Sequence, residues 1–146
     1  MADEDLRFMK QALEEARQAA AEGEVPIGAV VVCGGRVIAS AHNQTERLAD
    51  PTAHAEMLAI TSATNRMGAK YLTDCSLYVT VEPCLMCAGA IAWAQLGALV
   101  YGAADEKRGY SFFAPQALHP KTEVRSGTMA DEAARLMRDF FRKRRG

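Results

Sequence analysis

Leu77-Tyr78-Val79-Thr80-Val81-Glu82-Pro83-Cys84-Leu85-Met86-Cys87-Ala88-Gly89-Ala90-Ile91 is the stretch whose reading decides the fold. Ser76 to Val81 is rich in β-branched and aromatic residues and predicts a strand. Pro83 follows as the first residue of a helix, where its missing N–H costs nothing. Cys84 and Cys87 are three apart, so both sulfurs project from one side of that helix start. Unpaired N–H groups and the positive end of the helix dipole favour thiolates there. Ala98 to Tyr101 predicts the next strand. Strand, helix and strand then imply a parallel pair joined by a right-handed crossover.

Upstream, Asp50-Pro51-Thr52-Ala53-His54-Ala55-Glu56-Met57 predicts a second helix start. Thr52 is its expected N-cap, which puts His54 and Glu56 in the first turn. One imidazole and two thiolates make a three-ligand set for zinc, and such a site keeps a fourth position for water and lowers its pKa to about 7. Glu56 is the candidate general acid/base beside it. This combination suits exchange of an exocyclic amine for oxygen at an amidine-like ring carbon. That reaction needs an activated water and a carboxylate that collects and delivers protons.

Each part has a plainer reading. A C-x-x-C pair among alternating strands and helices also suits a redox dithiol, which leaves His54 and Glu56 idle. A structural zinc needs a fourth protein ligand, and Glu56, His42, His119, Cys33 and Cys75 all lack a finger-like spacing. A non-enzymatic zinc-stabilised module has no use for a carboxylate at Glu56. The order H-x-E and then P-C-x-x-C is the signature of zinc nucleobase deaminases.

The signature extends further. Val25-Pro26-Ile27-Gly28-Ala29-Val30, Asn43, the His54 segment and the run from Leu77 to Ile91 closely resemble bacterial tRNA-specific adenosine deaminases, and the resemblance spans nearly the whole chain. It implies a three-layer α/β/α cytidine-deaminase-like fold with a central mixed five-stranded sheet. The activity implied is hydrolytic conversion of the wobble adenosine, position 34, of a tRNA anticodon stem-loop to inosine. A homodimer with one zinc ion per subunit comes with it. By the same resemblance His54, Cys84 and Cys87 are the metal ligands, Glu56 the proton shuttle and Asn43 a base contact, and Asp105 lies beside the nucleotide preceding the target. Two departures stand out. Arg108-Gly109-Tyr110-Ser111-Phe112-Phe113-Ala114-Pro115 replaces a loop of small residues, which keeps a small-substrate deaminase of the guanine or cytosine type as the alternative. Ala133 stands where relatives often carry cysteine, a change expected to concern packing.

With 146 residues, 49% of them apolar, the chain suits one domain over residues 1–146. No run of about 18 apolar residues spans a membrane, and the opening Met1-Ala2-Asp3-Glu4-Asp5 is unlike a leader. The expected location is the cytoplasm, where Cys33 and Cys75 remain ordinary free thiols. Leu6, Met9, Leu13, Ala16 and Ala20 predict an amphipathic first helix ending at Gly23. Ile27 to Val32 and Arg36 to Ala41 predict a hairpin across Cys33-Gly34-Gly35. Glu123 to Ser126 predicts a last strand. Asp131 to Arg144 predicts a last helix, with Met129, Ala133, Leu136, Met137 and Phe140 on one stripe. Helices on both faces of a mixed sheet follow, with the zinc site at one edge of the sheet. Net charge is −1, so the whole protein is no basic binder. Arg135, Arg138, Arg142, Lys143, Arg144 and Arg145 nevertheless crowd the end of that helix and are candidates for tracking phosphates. Tyr110, Phe112 and Phe113 are candidates for stacking on unpaired bases or for packing under a neighbouring subunit.

Overall fold

The computed structural model describes residues 2–145, with the side chain of Arg145 outside that description. The elements run α1 (Asp3–Ala21), β1 (Gly28–Cys33), β2 (Arg36–His42), α2 (Ala55–Met67), β3 (Cys75–Val81), α3 (Leu85–Ala94), β4 (Ala98–Ala103), α4 (Tyr110–Phe113), β5 (Glu123–Ser126) and α5 (Ala130–Arg145). The five strands form one sheet in the order β2-β1-β3-β4-β5. β1 pairs antiparallel with β2 and β3, whereas β3–β4 and β4–β5 are parallel, so the sheet is mixed as expected.

Alternation along the strands makes two cores. Ala29, Val31, Leu77, Val79 and Leu99 face α2 and α3, where they meet Ala55, Ala59, Ala88 and Ile91. Val30, Val32, Tyr78 and Val100 face the opposite way onto Phe8, Met9 and Leu13 of α1 and Ala133 of α5. Helices thus cover both faces of the sheet. β3 is central and buried along nearly its whole length, so truncating Leu77 to Ala removes about 3 kcal/mol of stability. Ala133 is buried in this second core.

Gly34 and Gly35 make the β1–β2 turn with φ of 61° and 76°. Positive φ at both positions belongs to the tight hairpin turns whose twist matches the strands. α1 ends as expected at Gly23, where the Glu24 N–H reaches the Ala19 carbonyl. Its buried stripe is Phe8, Met9, Ala12, Leu13, Ala16 and Ala19, displaced from the predicted one because Leu6 and Ala20 are only half-buried.

Three local expectations are corrected. The cap of α2 is His54, in an extended conformation, because the Asp50 carboxylate accepts both the Thr52 N–H at 2.8 Å and its hydroxyl at 2.7 Å and holds Thr52 in the preceding turn. The cap of α3 is Cys84, with Pro83 one residue outside, because Cys84 is drawn into an antiparallel bridge with Gly109. Both of these ligand candidates therefore cap helices and lie outside the first turn. The site they mark is at the carboxyl end of the middle strand, and not at an edge of the sheet. The short helix α4 had no counterpart in the sequence reading. No helix among the described residues is long and apolar enough to cross a membrane.

Candidate active site

Two helix starts converge where β3 ends. β3 delivers Cys84 as the cap of α3 and Cys87 inside its first turn, and α2 begins at His54. The Nδ1 atom of His54 lies 3.6 Å from the sulfur of Cys84 and 3.5 Å from that of Cys87. The three ligand atoms fall within 4.8 Å of one another and form a group able to hold a metal ion.

The electrostatics of the group fit such an ion. The Cys87 hydrogen bond, with help from His54, holds the Cys84 thiol down to about 4 against the cost of burial. The same bond and burial push Cys87 up. A divalent cation would favour both sulfurs as thiolates there. His54 is raised by its hydrogen bond with Cys84, against the opposing effect of burial.

Glu56 occupies the first turn of α2 and is 2% exposed. Burial pushes its carboxyl up to about 7, and the carboxyl also reaches Cys87. Its Oε1 is buried with no hydrogen-bond partner in the protein. The Oδ1 of Asn43 is the second such atom. Asn43 is held through its backbone, whose N–H donates to Ile27 O at 3.1 Å, while Gln44 N–H donates to Ala53 O at 3.0 Å. That second bond closes the base of the loop linking Asn43 to His54. A buried, unpartnered acceptor is costly unless another molecule meets it. Both orphans in the described chain are residues already singled out for the chemistry.

Asp105 is placed differently. Its Oδ1 accepts the N–H groups of Lys107 at 3.1 Å and Arg108 at 3.0 Å, so the carboxylate shapes its own turn. That turn is fastened to the site by Glu82, which the sequence reading passed over. The buried Glu82 carboxylate accepts Asp105 N–H at 3.1 Å, Ser111 N–H at 3.1 Å and the Ser111 hydroxyl at 2.5 Å. A side chain at Gly109 would collide with the same carboxylate. A charged residue directly before Pro83, at the end of a buried strand, was the available signal. Glu24 acts likewise for the other loop, accepting Glu46 N–H at 3.1 Å and Arg47 N–H at 2.8 Å.

Phe112 and Phe113 stand exposed at 68% and 57%. In the basic tail Arg142 pairs with Asp139 at 2.7 Å, and Arg144 donates to Gly23 O at 3.2 Å. Arg135, Arg138 and Lys143 are exposed.

The family described as MafB19-like deaminase matches residues 3–145. The tRNA-specific adenosine deaminase of Agrobacterium fabrum is 46% identical over 147 residues, covering 97% of each chain. The chain belongs to the tRNA-specific adenosine deaminase family. Among solved structures, one from a study of A-to-I editing by tRNA:A34 deaminases at the wobble position of transfer RNA has a TM-score of 0.84 and 46% identity. It covers 89% of this chain and 98% of its own. A guanine deaminase from Nitrosomonas europaea has a TM-score of 0.83 at 27% identity, covering 95% of this chain and 84% of its own. Backbone similarity is nearly equal for the two, whereas sequence identity separates them. Membership of a deaminase family makes this chain an enzyme of hydrolytic deamination, which excludes the redox-dithiol and binding-module readings.

Proposed function

We propose that the chain deaminates the wobble adenosine, position 34, of a tRNA anticodon stem-loop to inosine. The observation that carries this reading is the near full-length 46% identity to a tRNA-specific adenosine deaminase, set against 27% for the guanine deaminase of matching fold. His54, Cys84 and Cys87 would hold one zinc ion per subunit. In that donor set zinc supplies a Lewis acid that makes water a nucleophile at neutral pH.

The remaining work belongs to side chains. Glu56 takes a proton from the attacking water and passes it to the ring nitrogen next to the amine-bearing carbon; it then takes the second proton from the hydroxyl now on that carbon and delivers it to the departing amine, which leaves as ammonia. A carboxyl held up to about 7 by burial exchanges protons in both directions at neutral pH. Asn43 orients the base through the side-chain oxygen that has no partner inside the protein. Asp105 and the loop fastened by Glu82 flank the extruded base, beside the preceding nucleotide, and the exposed Phe112 and Phe113 offer stacking surfaces.

The reading extends to a cytoplasmic homodimer of one-domain subunits. Leu85, Met86 and Trp93 are exposed on α3, Trp93 at 84%, and supply an apolar face for the second subunit. The test is to incubate the protein with an anticodon stem-loop carrying adenosine 34, and separately with guanine, cytosine and cytidine. Inosine in the stem-loop with no ammonia from the free compounds is the expected result. Ammonia from guanine or cytosine with an untouched stem-loop overturns it in favour of the small-substrate alternative.

A further inference from the structure

Cys33 and Cys75 lie far from the metal cluster, at the other end of β3, and no step of the deamination uses them. They are direct partners in the β1–β3 register. Cys75 donates its N–H to Leu72 O at 3.0 Å and accepts Gly97 N–H at 2.9 Å, so its backbone is turned away from β1. The two cysteines are therefore a non-hydrogen-bonded antiparallel pair. In such pairs Cα atoms are about 4.5 Å apart and side chains are closest, which is within the span a disulfide bridges. Both thiols are free, and the Cys33 sulfhydryl donates to the carbonyl of Asp74, the residue next to Cys75, at 3.7 Å. Cys33 is half-buried and lines a surface groove of about 380 Å³ together with Arg36 and Arg66. Cys75 is 2% exposed.

We propose that Cys33 and Cys75 are a redox modification site, closing to a cross-strand disulfide when a small anionic disulfide such as oxidised glutathione enters the groove. The two guanidinium groups suit its carboxylates. The Cys33 sulfur attacks one sulfur of the reagent and breaks its S–S bond; one glutathione leaves as a thiol carrying the Cys33 proton. The Cys75 sulfur then attacks the Cys33 sulfur, and the second glutathione leaves with the Cys75 proton. Two protein thiols are oxidised by two electrons and one glutathione disulfide is reduced to two thiols. Cys33 lines the groove and Cys75 is buried behind it, so Cys33 meets the reagent first and Cys75 resolves the mixed disulfide. The closed loop contains β2 and α2, and hence Asn43, His54 and Glu56. The bond thus staples the segment carrying half of the site without touching it.

The experiment treats zinc-loaded protein with oxidised glutathione, alkylates the remaining thiols and maps the peptides. A linked Cys33–Cys75 peptide is expected, with a Tm increase of roughly 10 °C that dithiothreitol reverses. Cys33→Ser abolishes both the link and the Tm increase; it alters a half-buried position, so it remains informative should Cys75→Ala fail to fold. A stable glutathione adduct on Cys33 with no internal link overturns the proposal. So does a Cys84–Cys87 link with Cys33 and Cys75 still free, or a Tm that does not move on oxidation.

Discussion

Glu56 and Asp5 are buried acids in helices on opposite faces of one sheet, and the fold treats them in opposite ways. Asp5 accepts the Tyr78 hydroxyl at 2.7 Å and two guanidinium bonds from Arg125, at 2.8 and 3.0 Å. The Arg125 bond, with Tyr78 assisting, holds its carboxyl below the ordinary value despite burial. Glu56 has an oxygen with no partner and is held up by burial. A satisfied buried acid ties α1 to β3 and β5, and the orphaned one is left ready for chemistry. The difference teaches that hydrogen-bond satisfaction separates a carboxylate used by the fold from the one proposed for catalysis, where burial alone does not.

The largest effect expected comes from Cys87→Ala. Removing one of three ligands leaves the cluster unable to retain metal, so zinc content after dialysis falls to background and turnover falls with it. Metal content equal to that of the parent protein removes Cys87 from the ligand set.

Next comes the structural acid. Asp5→Asn strips charge-assisted bonds from Arg125 and costs about 2 kcal/mol at neutral pH, or roughly 5 °C in Tm, with kcat unchanged. Because the folded pKa of Asp5 is depressed, its contribution is complete above the ordinary value of 3.8 and is lost as pH falls through the lower folded value. Denaturation at a series of pH values checks this. The gap between parent and variant narrows only on the acid side of 3.8, and a gap that opens on acidification contradicts the assignment.

The smallest effect is on the basic tail. Neutralising Arg142, Lys143, Arg144 and Arg145 together weakens tRNA affinity several-fold and flattens the dependence of log affinity on log salt by about 1–3 units. Arg142 and Arg144 already have partners inside the chain, which keeps the effect modest. An unaltered salt slope returns the cluster to a solvated helix end.

The strands and long helices were legible because their apolar periods are set locally, as in Val30-Val31-Val32 against the helical stripe of Met9 and Leu13. His54, Cys84 and Cys87 were legible as candidates because metal chemistry restricts residue type and spacing. What escaped depended on partners distant in the chain. The partner of Asp5 is Arg125, far along the chain, and Glu82 had no visible role without the N–H groups of Asp105 and Ser111. The caps of α2 and α3 shifted because the Asp50 side chain captured Thr52 and a bridge to Gly109 captured Cys84. The neighbouring thiols of Cys33 and Cys75 required the β1–β3 register, which no spacing along the chain encodes.

The central claim, that the orphaned Glu56 carboxyl is the proton carrier, is tested most directly by one preparation of Glu56→Ala assayed for both zinc content and inosine formation in an anticodon stem-loop. Full zinc content, a Tm at or above that of the parent protein and turnover lowered by about 100- to 10,000-fold is the predicted result. Near-normal inosine formation by the zinc-loaded variant contradicts it.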